Sequence, residues 1–140
     1  MIPRSITLDI VTPERPIVHE EVDEVQLPGV GGALGIRPGH APLLAQLAPG
    51  ELWYRKGADR QFLSIDFGLA EVLPTRVTIL ATVAERPDEI DVAKVEASRK
   101  EAESQMRHSV SAEDAERARL AMLSALVRLR VAERARLRRS

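Results

Sequence analysis

The 140-residue chain contains no cysteine. That excludes disulfides, thiolate metal sites and cysteine nucleophiles, and it suits a reducing compartment. Aromatic residues make up only 3%, too few for the stacking platforms that hold single-stranded nucleic acid. No apolar run reaches the roughly 18 residues that a membrane-spanning helix needs. The opening residues, Met1-Ile2-Pro3-Arg4, lack the apolar core of a signal peptide. No Gly-Lys-Ser or Gly-Lys-Thr occurs, so no P-loop is expected. Glycine and proline are absent from the whole C-terminal part: all eight glycines and all nine prolines lie in residues 1–87.

That last absence sets a boundary, with one domain over 1–87 and a second over 88–140. Hydrophobic residues make up 44% of the chain, enough for a real core. The first part reads as short strands. Ser5 to Val11, Val22 to Leu27, Ala33 to Arg37, Glu51 to Arg55, Gln61 to Ile65, Leu69 to Leu73 and Val77 to Ala81 are separated by Gly- and Pro-containing turns. Many short strands at roughly ten-residue spacing suggest a β-sandwich or barrel.

The second part reads as a helical hairpin. Asp88 or Asp91 can cap a first helix that runs to about Arg107, with Val92, Val95, Ala102 and Met106 near one face. Arg107 to Val110 form the turn. Ser111 caps the second helix, with Asp114 at the capping-box position. Ala115, Ala118, Met122, Ala125, Leu129 and Ala132 recur at 3-4 spacing. A seam this rich in alanine buries roughly half the area of a leucine seam. Two outcomes stay open at this point: a hairpin that can open, and small residues that permit close approach in a permanently closed one.

Charge is uneven. Arg128, Arg130, Arg134, Arg136, Arg138 and Arg139 crowd the last 13 residues beside one acid, Glu133. Such an end can meet an acidic partner, or simply complement the helix dipole in solvent. Candidate chemistry is otherwise scarce. Gly29 to Gly35 has the look of a dinucleotide loop, yet Ile36-Arg37-Pro38-Gly39 continues as strand and turn rather than opening a helix. His19, His40 and His108 lie far apart, without metal-ligand spacing. No nucleophile, base and orienter set stands out, so a free-standing enzyme is not expected. His40 sits in a rigid Pro38-Gly39-His40-Ala41-Pro42 turn, where it can bond backbone or face a partner.

The run Leu34-Gly35-Ile36-Arg37-Pro38-Gly39-His40-Ala41-Pro42-Leu43 is similar to the signature of the epsilon subunits of F-type rotary ATP synthases. Thr12-Pro13-Glu14-Arg15, Pro28-Gly29, Gly68 to Val72, Val77 to Leu80, Ala84-Glu85-Arg86, Ile90-Asp91 and Val131-Ala132-Glu133 extend the resemblance in order over nearly the whole chain. The resemblance implies an α+β chain: a flattened ten-stranded β-sandwich followed by a two-helix C-terminal domain. It implies a non-catalytic rotor element that couples proton translocation to ATP synthesis, held peripherally at the cytoplasmic face of the bacterial inner membrane. The implied partners are the gamma subunit, the c-subunit ring and the alpha/beta catalytic head, and no nucleic acid. The c-ring contact falls on Gly31, Gly32, Ala33 and His40. The resemblance further implies that the helices, once extended, inhibit ATP hydrolysis, with the matching contact with the beta subunits on Arg128, Arg130, Arg134 and Arg136.

Departures from the family pattern carry their own expectations. Ala33 stands where many members have glutamate. The family's Gly-Gly-Phe-x-Glu-Val appears as Phe67-Gly68-Leu69-Ala70-Glu71-Val72, a changed bend or bulge. Some members bind ATP through Ile-Asp-x-x-Arg-Ala plus arginines on the second helix. Ile90, Asp91, Arg117 and Arg128 match those positions, while Lys94, Val95, Glu101 and Ser124 depart. Lysine keeps the charge but loses the planar fork, and Glu101 repels phosphate. No cofactor is expected beyond a weak or absent ATP site at Ile90, Asp91, Lys94, Arg117 and Arg128. The rival reading is a β-sandwich binding module whose arginine-rich helix contacts nucleic acid or another acidic partner. The low aromatic content and the interspersed Glu113, Asp114 and Glu116 oppose the nucleic-acid version.

Overall fold

Ile6, Leu8 and Ile10 alternate with polar neighbours, and all three are buried at 0% exposure. This is the period-2 signature of a strand with one face in a core. Alternation of this kind recurs in several of the eight strands of a computed structural model that describes residues 2–139, Arg139 by its backbone only. The strands are β1 (Ile6–Val11), β2 (Pro16–Val22), β3 (Glu24–Gly29), β4 (Gly32–Ile36), β5 (Leu43–Leu47), β6 (Gly50–Lys56), β7 (Asp59–Val72) and β8 (Arg76–Glu85). A short 3₁₀ turn, Pro87–Glu89, leads to α1 (Val92–Arg107) and α2 (Ala112–Arg139). The described residues fall into two compact units, divided between Glu85 and Arg86.

Strand order in the first unit is β2-β1-β8-β7-β5-β3-β4, with β6 joining β3 to β7. Pairing is antiparallel except between β1 and β8. The inward faces of these strands make one core, in which Leu27, Ile36, Leu47, Leu52, Leu63, Ile65 and Ile79 are almost wholly buried.

The described residues form eight strands where the resemblance implies ten, and two of the strands read from the sequence run on into one. The separate strands expected at Gln61 to Ile65 and Leu69 to Leu73 are one 14-residue strand, β7, which pairs with β6 over its first half and with β5 over its second. The chain bends at Phe67 without leaving the ladder with β8. Phe67 has φ of +30°, a rare conformation for an aromatic residue. Thr82 braces the bend by donating its hydroxyl to the carbonyl of Asp66 at 2.7 Å. Gly68 follows because an added Cβ would lie 2.2 Å from the Leu80 carbonyl oxygen.

In the second unit both helix starts are capped as their sequences require. Asp91 accepts the backbone N–H of Lys94 at 3.1 Å, and Ser111 accepts that of Asp114 at 3.0 Å. His108 closes α1, with Nδ1 2.8 Å from the Ser104 carbonyl oxygen. Ile90, Val95, Ala125, Val127, Val131 and Ala132 make a small separate core, flanked by Leu123 and Leu129. Of the residues expected on the α1 face, Val95 and Ala102 are buried, whereas Val92 and Met106 are exposed. On α2 the expected Ala118, Ala125 and Ala132 are buried, and Ala115, Met122 and Leu129 are half-buried. Val127, Val131 and Ala135 join them, so the buried stripe is shifted and wider than the alanine repeat alone suggests.

Candidate functional site: exposed surfaces of the sandwich and the helical hairpin

The residues expected to meet a partner fall on three surfaces. The first is the β3–β4 turn. Val30 is exposed at its tip, and its N–H donates to the Gln46 carbonyl at 2.9 Å. Gly31 and Gly32 follow, and added Cβ atoms there would meet nothing within 4 Å. Gly32 has φ of +130°, which only glycine adopts without strain. Ala33 is the second residue of β4 and is exposed. The fold thus brings Gly31, Gly32 and Ala33 together. It does not bring His40 to them: His40 lies beyond the other end of β4, and the strand alone spans about 13 Å at 3.3 Å per residue. His40 is fixed by its own turn, with its N–H on the Arg37 carbonyl (3.2 Å) and Nδ1 2.7 Å from the Ala41 carbonyl oxygen. It lines an open pocket of about 350 Å³ with Glu24, Gly35, Arg37, Pro38 and Gly39.

The second surface was not singled out from the sequence. Leu69 and Leu80 are cross-strand partners on β7 and β8, and both point outward. Leu69 is 46% exposed, Leu80 55% and Leu44 on β5 69%, with Phe67 and Val83 also exposed. The signal was present: Leu80 occupies the outward phase of Arg76-Val77-Thr78-Ile79-Leu80-Ala81-Thr82, where Thr78 and Thr82 are its polar counterparts.

The third surface is α2. Arg130, Arg136 and Arg138 are exposed, whereas Arg128 and Arg134 are half-buried; the side chain of Arg139 lies outside the described residues. Several cations on this helix have acids one turn before them. Arg119 donates from Nε to Glu116 at 3.0 Å and from Nη2 at 2.7 Å. Arg136 donates from Nε to Glu133 at 2.7 Å. These bonds raise both guanidinium pKa values and hold the Glu116 and Glu133 carboxyls below their ordinary range.

The ATP-site candidates are occupied with other work or spread apart. Ile90 belongs to the hairpin core, and Asp91 caps α1. Lys94 is exposed, Arg117 is exposed at 4.0 Å from Asp114, and Arg128 is half-buried. Arg117 and Arg128 are eleven residues apart on one helix, about 16 Å at 1.5 Å per residue. Among the described residues, no cluster of histidine and carboxylate side chains is suited to hold a metal ion.

An all-β sandwich of this topology followed by a two-helix unit defines the class of protein. The first unit matches the family described as "ATP synthase, Delta/Epsilon chain, beta-sandwich domain" over residues 5–87. The second matches the "long alpha-helix domain" of the same chains over residues 88–133. The chain is 52% identical over 128 residues to the ATP synthase epsilon chain of Herpetosiphon aurantiacus, covering 91% of this chain and 94% of that one. It is 46% identical over 105 residues to the epsilon chain of Koribacter versatilis, covering 75% and 74%. Among solved structures it resembles a chain of the Euglena gracilis mitochondrial ATP synthase at a TM-score of 0.79 and 25% identity, covering 98% of this chain and 84% of that one. The chain belongs to the ATP synthase delta/epsilon family, as a non-catalytic subunit of a multisubunit complex. No helix among the described residues is long and apolar enough to cross a membrane.

Proposed function

We propose that this chain is a rotor element of a proton-translocating ATP synthase whose helical hairpin restrains ATP hydrolysis by extending into the catalytic head. In this reading residues 1–87 hold the gamma subunit and the c ring, and residues 88–140 are regulatory. The c ring meets the Gly31-Gly32-Ala33 tip, where the lack of side chains allows close backbone approach. The gamma subunit covers the apolar face around Leu44, Leu69 and Leu80, since an exposed contiguous apolar patch marks an interaction site. The whole chain then sits peripherally at the cytoplasmic face of a bacterial inner membrane.

The observation that carries the regulatory part is the thinness of the hairpin core: α1 contributes only two buried side chains, Val95 and Ala102. Little area holds the helices together, so a closed and an open form differ by a small free energy that a partner can overturn. Once open, α2 measures about 42 Å at 1.5 Å per residue. Its C-terminal arginines, Arg128, Arg130, Arg134 and Arg136, can then pair with carboxylates of the beta subunits. ATP binding to the closed hairpin is weak or absent.

The test replaces Arg128, Arg130 and Arg134 together with alanine in the assembled complex. ATP hydrolysis is expected to rise while synthesis changes little. Unchanged hydrolysis, with helicity intact by circular dichroism and the subunit still co-purifying with alpha, beta and gamma, contradicts the inhibitory role.

A further inference from the structure

The free edge of β4 is a docking strand, and we infer that it pairs by main-chain hydrogen bonds with an extended, uncharged segment of a partner subunit. The inference rests on the proposed rotor contact at Gly31 to Ala33 and gives that contact a specific chemistry.

Which backbone groups face the edge follows from Pro28. In the β3–β4 ladder Pro28 stands opposite Ala33, Leu27 opposite Leu34 and Gln26 opposite Gly35. Proline has no N–H, so the Pro28–Ala33 pair cannot be a doubly hydrogen-bonded one. Antiparallel pairs alternate between bonded and non-bonded. The bonded pairs are then Gly29–Gly32, Leu27–Leu34 and Val25–Ile36. A separate contact agrees: the Pro28 carbonyl accepts the N–H of Ala48 at 2.9 Å, on the side of β3 away from β4. The N–H and C=O groups of Ala33 and Gly35 therefore point away from β3. β4 ends the strand order, and among the described residues no strand pairs with that side.

Edges in isolated proteins are normally blunted by lysine, proline, a bulge or an inward charge. β4 has none of these: its sequence is Gly32-Ala33-Leu34-Gly35-Ile36, and its register with β3 is unbroken. The surroundings narrow the occupant. From Val25 to Gly50 the only Asp, Glu, Lys or Arg is Arg37, which lies 3.5 Å from Glu24. The two charges beside Gly35, Arg37 and Glu24, already pair with each other, so an uncharged segment meets the edge without stranding a charge. Added Cβ atoms at Gly32 and Gly35 would meet nothing within 4 Å, so side chains of an incoming strand have room beside them. Strand addition with main-chain bonds is an established way of recognising an extended segment.

The measurement is hydrogen exchange at the Ala33 and Gly35 amides, in the isolated full-length chain and in the assembled synthase. The isolated chain should exchange both rapidly, and assembly should slow both by about tenfold or more, as pairing into a sheet does. Equal rates in the two states, in a complex that contains the chain, overturn the inference and leave the rotor reading standing. Failure of the chain to enter the complex at all overturns the rotor reading instead. Protection that appears in the isolated chain as its concentration rises, with a dimer in sedimentation, makes the occupant a second copy and also overturns it. Ala33→Pro gives an independent arm: proline is tolerated where an edge N–H faces solvent. The variant should keep its melting temperature as an isolated chain and bind the remaining rotor subunits several-fold more weakly. Undiminished binding by a folded Ala33→Pro chain contradicts strand pairing.

Discussion

Arg136 donates from Nε to the Oε1 of Glu133 at 2.7 Å, one helical turn before it on α2. The single acid among the C-terminal arginines is thus engaged with one of the cations proposed to meet the catalytic head. Glu133 and an acidic partner compete for the same guanidinium. Glu133→Gln removes the competitor while keeping length and hydrogen-bonding capacity. Hydrolysis by the assembled complex should fall below that of the native complex, and Arg136→Ala should raise it. Identical hydrolysis in the native and Glu133→Gln complexes would mean that Arg136 takes no part.

The bend in β7 predicts a sharp contrast between two glycines. At Gly68 an added Cβ would lie 2.2 Å from the Leu80 carbonyl oxygen, in a backbone that cannot yield cheaply. Gly68→Ala should lower the stability of the chain by about 1–3 kcal/mol, the usual cost of overpacking. Gly31→Ala meets no atom within 4 Å and should leave the urea midpoint almost unchanged. Equal midpoints for the two variants would show that the bend is not as tight as described.

Acid should loosen the edge formed by β1 and β2. Thr7 and Ser5 donate hydroxyl bonds to the Glu21 carboxylate, and these, with His19 and Arg76 nearby, hold it below its ordinary range. A carboxyl whose folded value is depressed contributes stability above its unfolded value, and loses it as pH falls through the folded one. Stability should therefore decline as pH drops below the ordinary carboxylate range. Thr7→Val should make that decline smaller, because less depression remains to be lost. A pH profile unaltered by Thr7→Val would assign the acid sensitivity to other groups.

Calorimetry with millimolar ATP should give little or no heat. Asp91 is committed to capping α1, Ile90 to the hairpin core, and Glu101 is an exposed anion further along α1 that repels phosphate. A micromolar dissociation constant would show that Lys94 suffices in place of arginine.

Much of this arrangement was legible in the sequence, for identifiable reasons. The helix caps at Asp91 and Ser111 were readable because capping needs only one side chain and a local N–H. The alternation of β1 and β8 was readable because one face is buried and the other polar. β2 was missed because Pro16, His19, Glu20 and Glu21 mask the buried Val18 and Val22. β5 was missed because Pro38, Pro42 and Pro49 flank it. The continuity of β7 was hidden by Phe67, since no local rule places an aromatic residue at positive φ, and the hydroxyl that braces the bend comes from Thr82, 15 residues away. The separation of His40 from the Gly31-Gly32-Ala33 tip could not be read from a motif that runs through both, because it depends on β4 being extended between them. The pairing of α2 arginines with acids one turn earlier follows helical spacing and was available from the start.

The restraining role of the helices is measured by comparing the assembled synthase carrying the full chain with one carrying residues 1–87 alone. All the turn-forming glycines and prolines, and the whole sandwich core, lie in that part. The shortened chain should still assemble and support ATP synthesis, and ATP hydrolysis should rise several-fold. Hydrolysis unchanged in a fully assembled complex would contradict a restraining role for the helices.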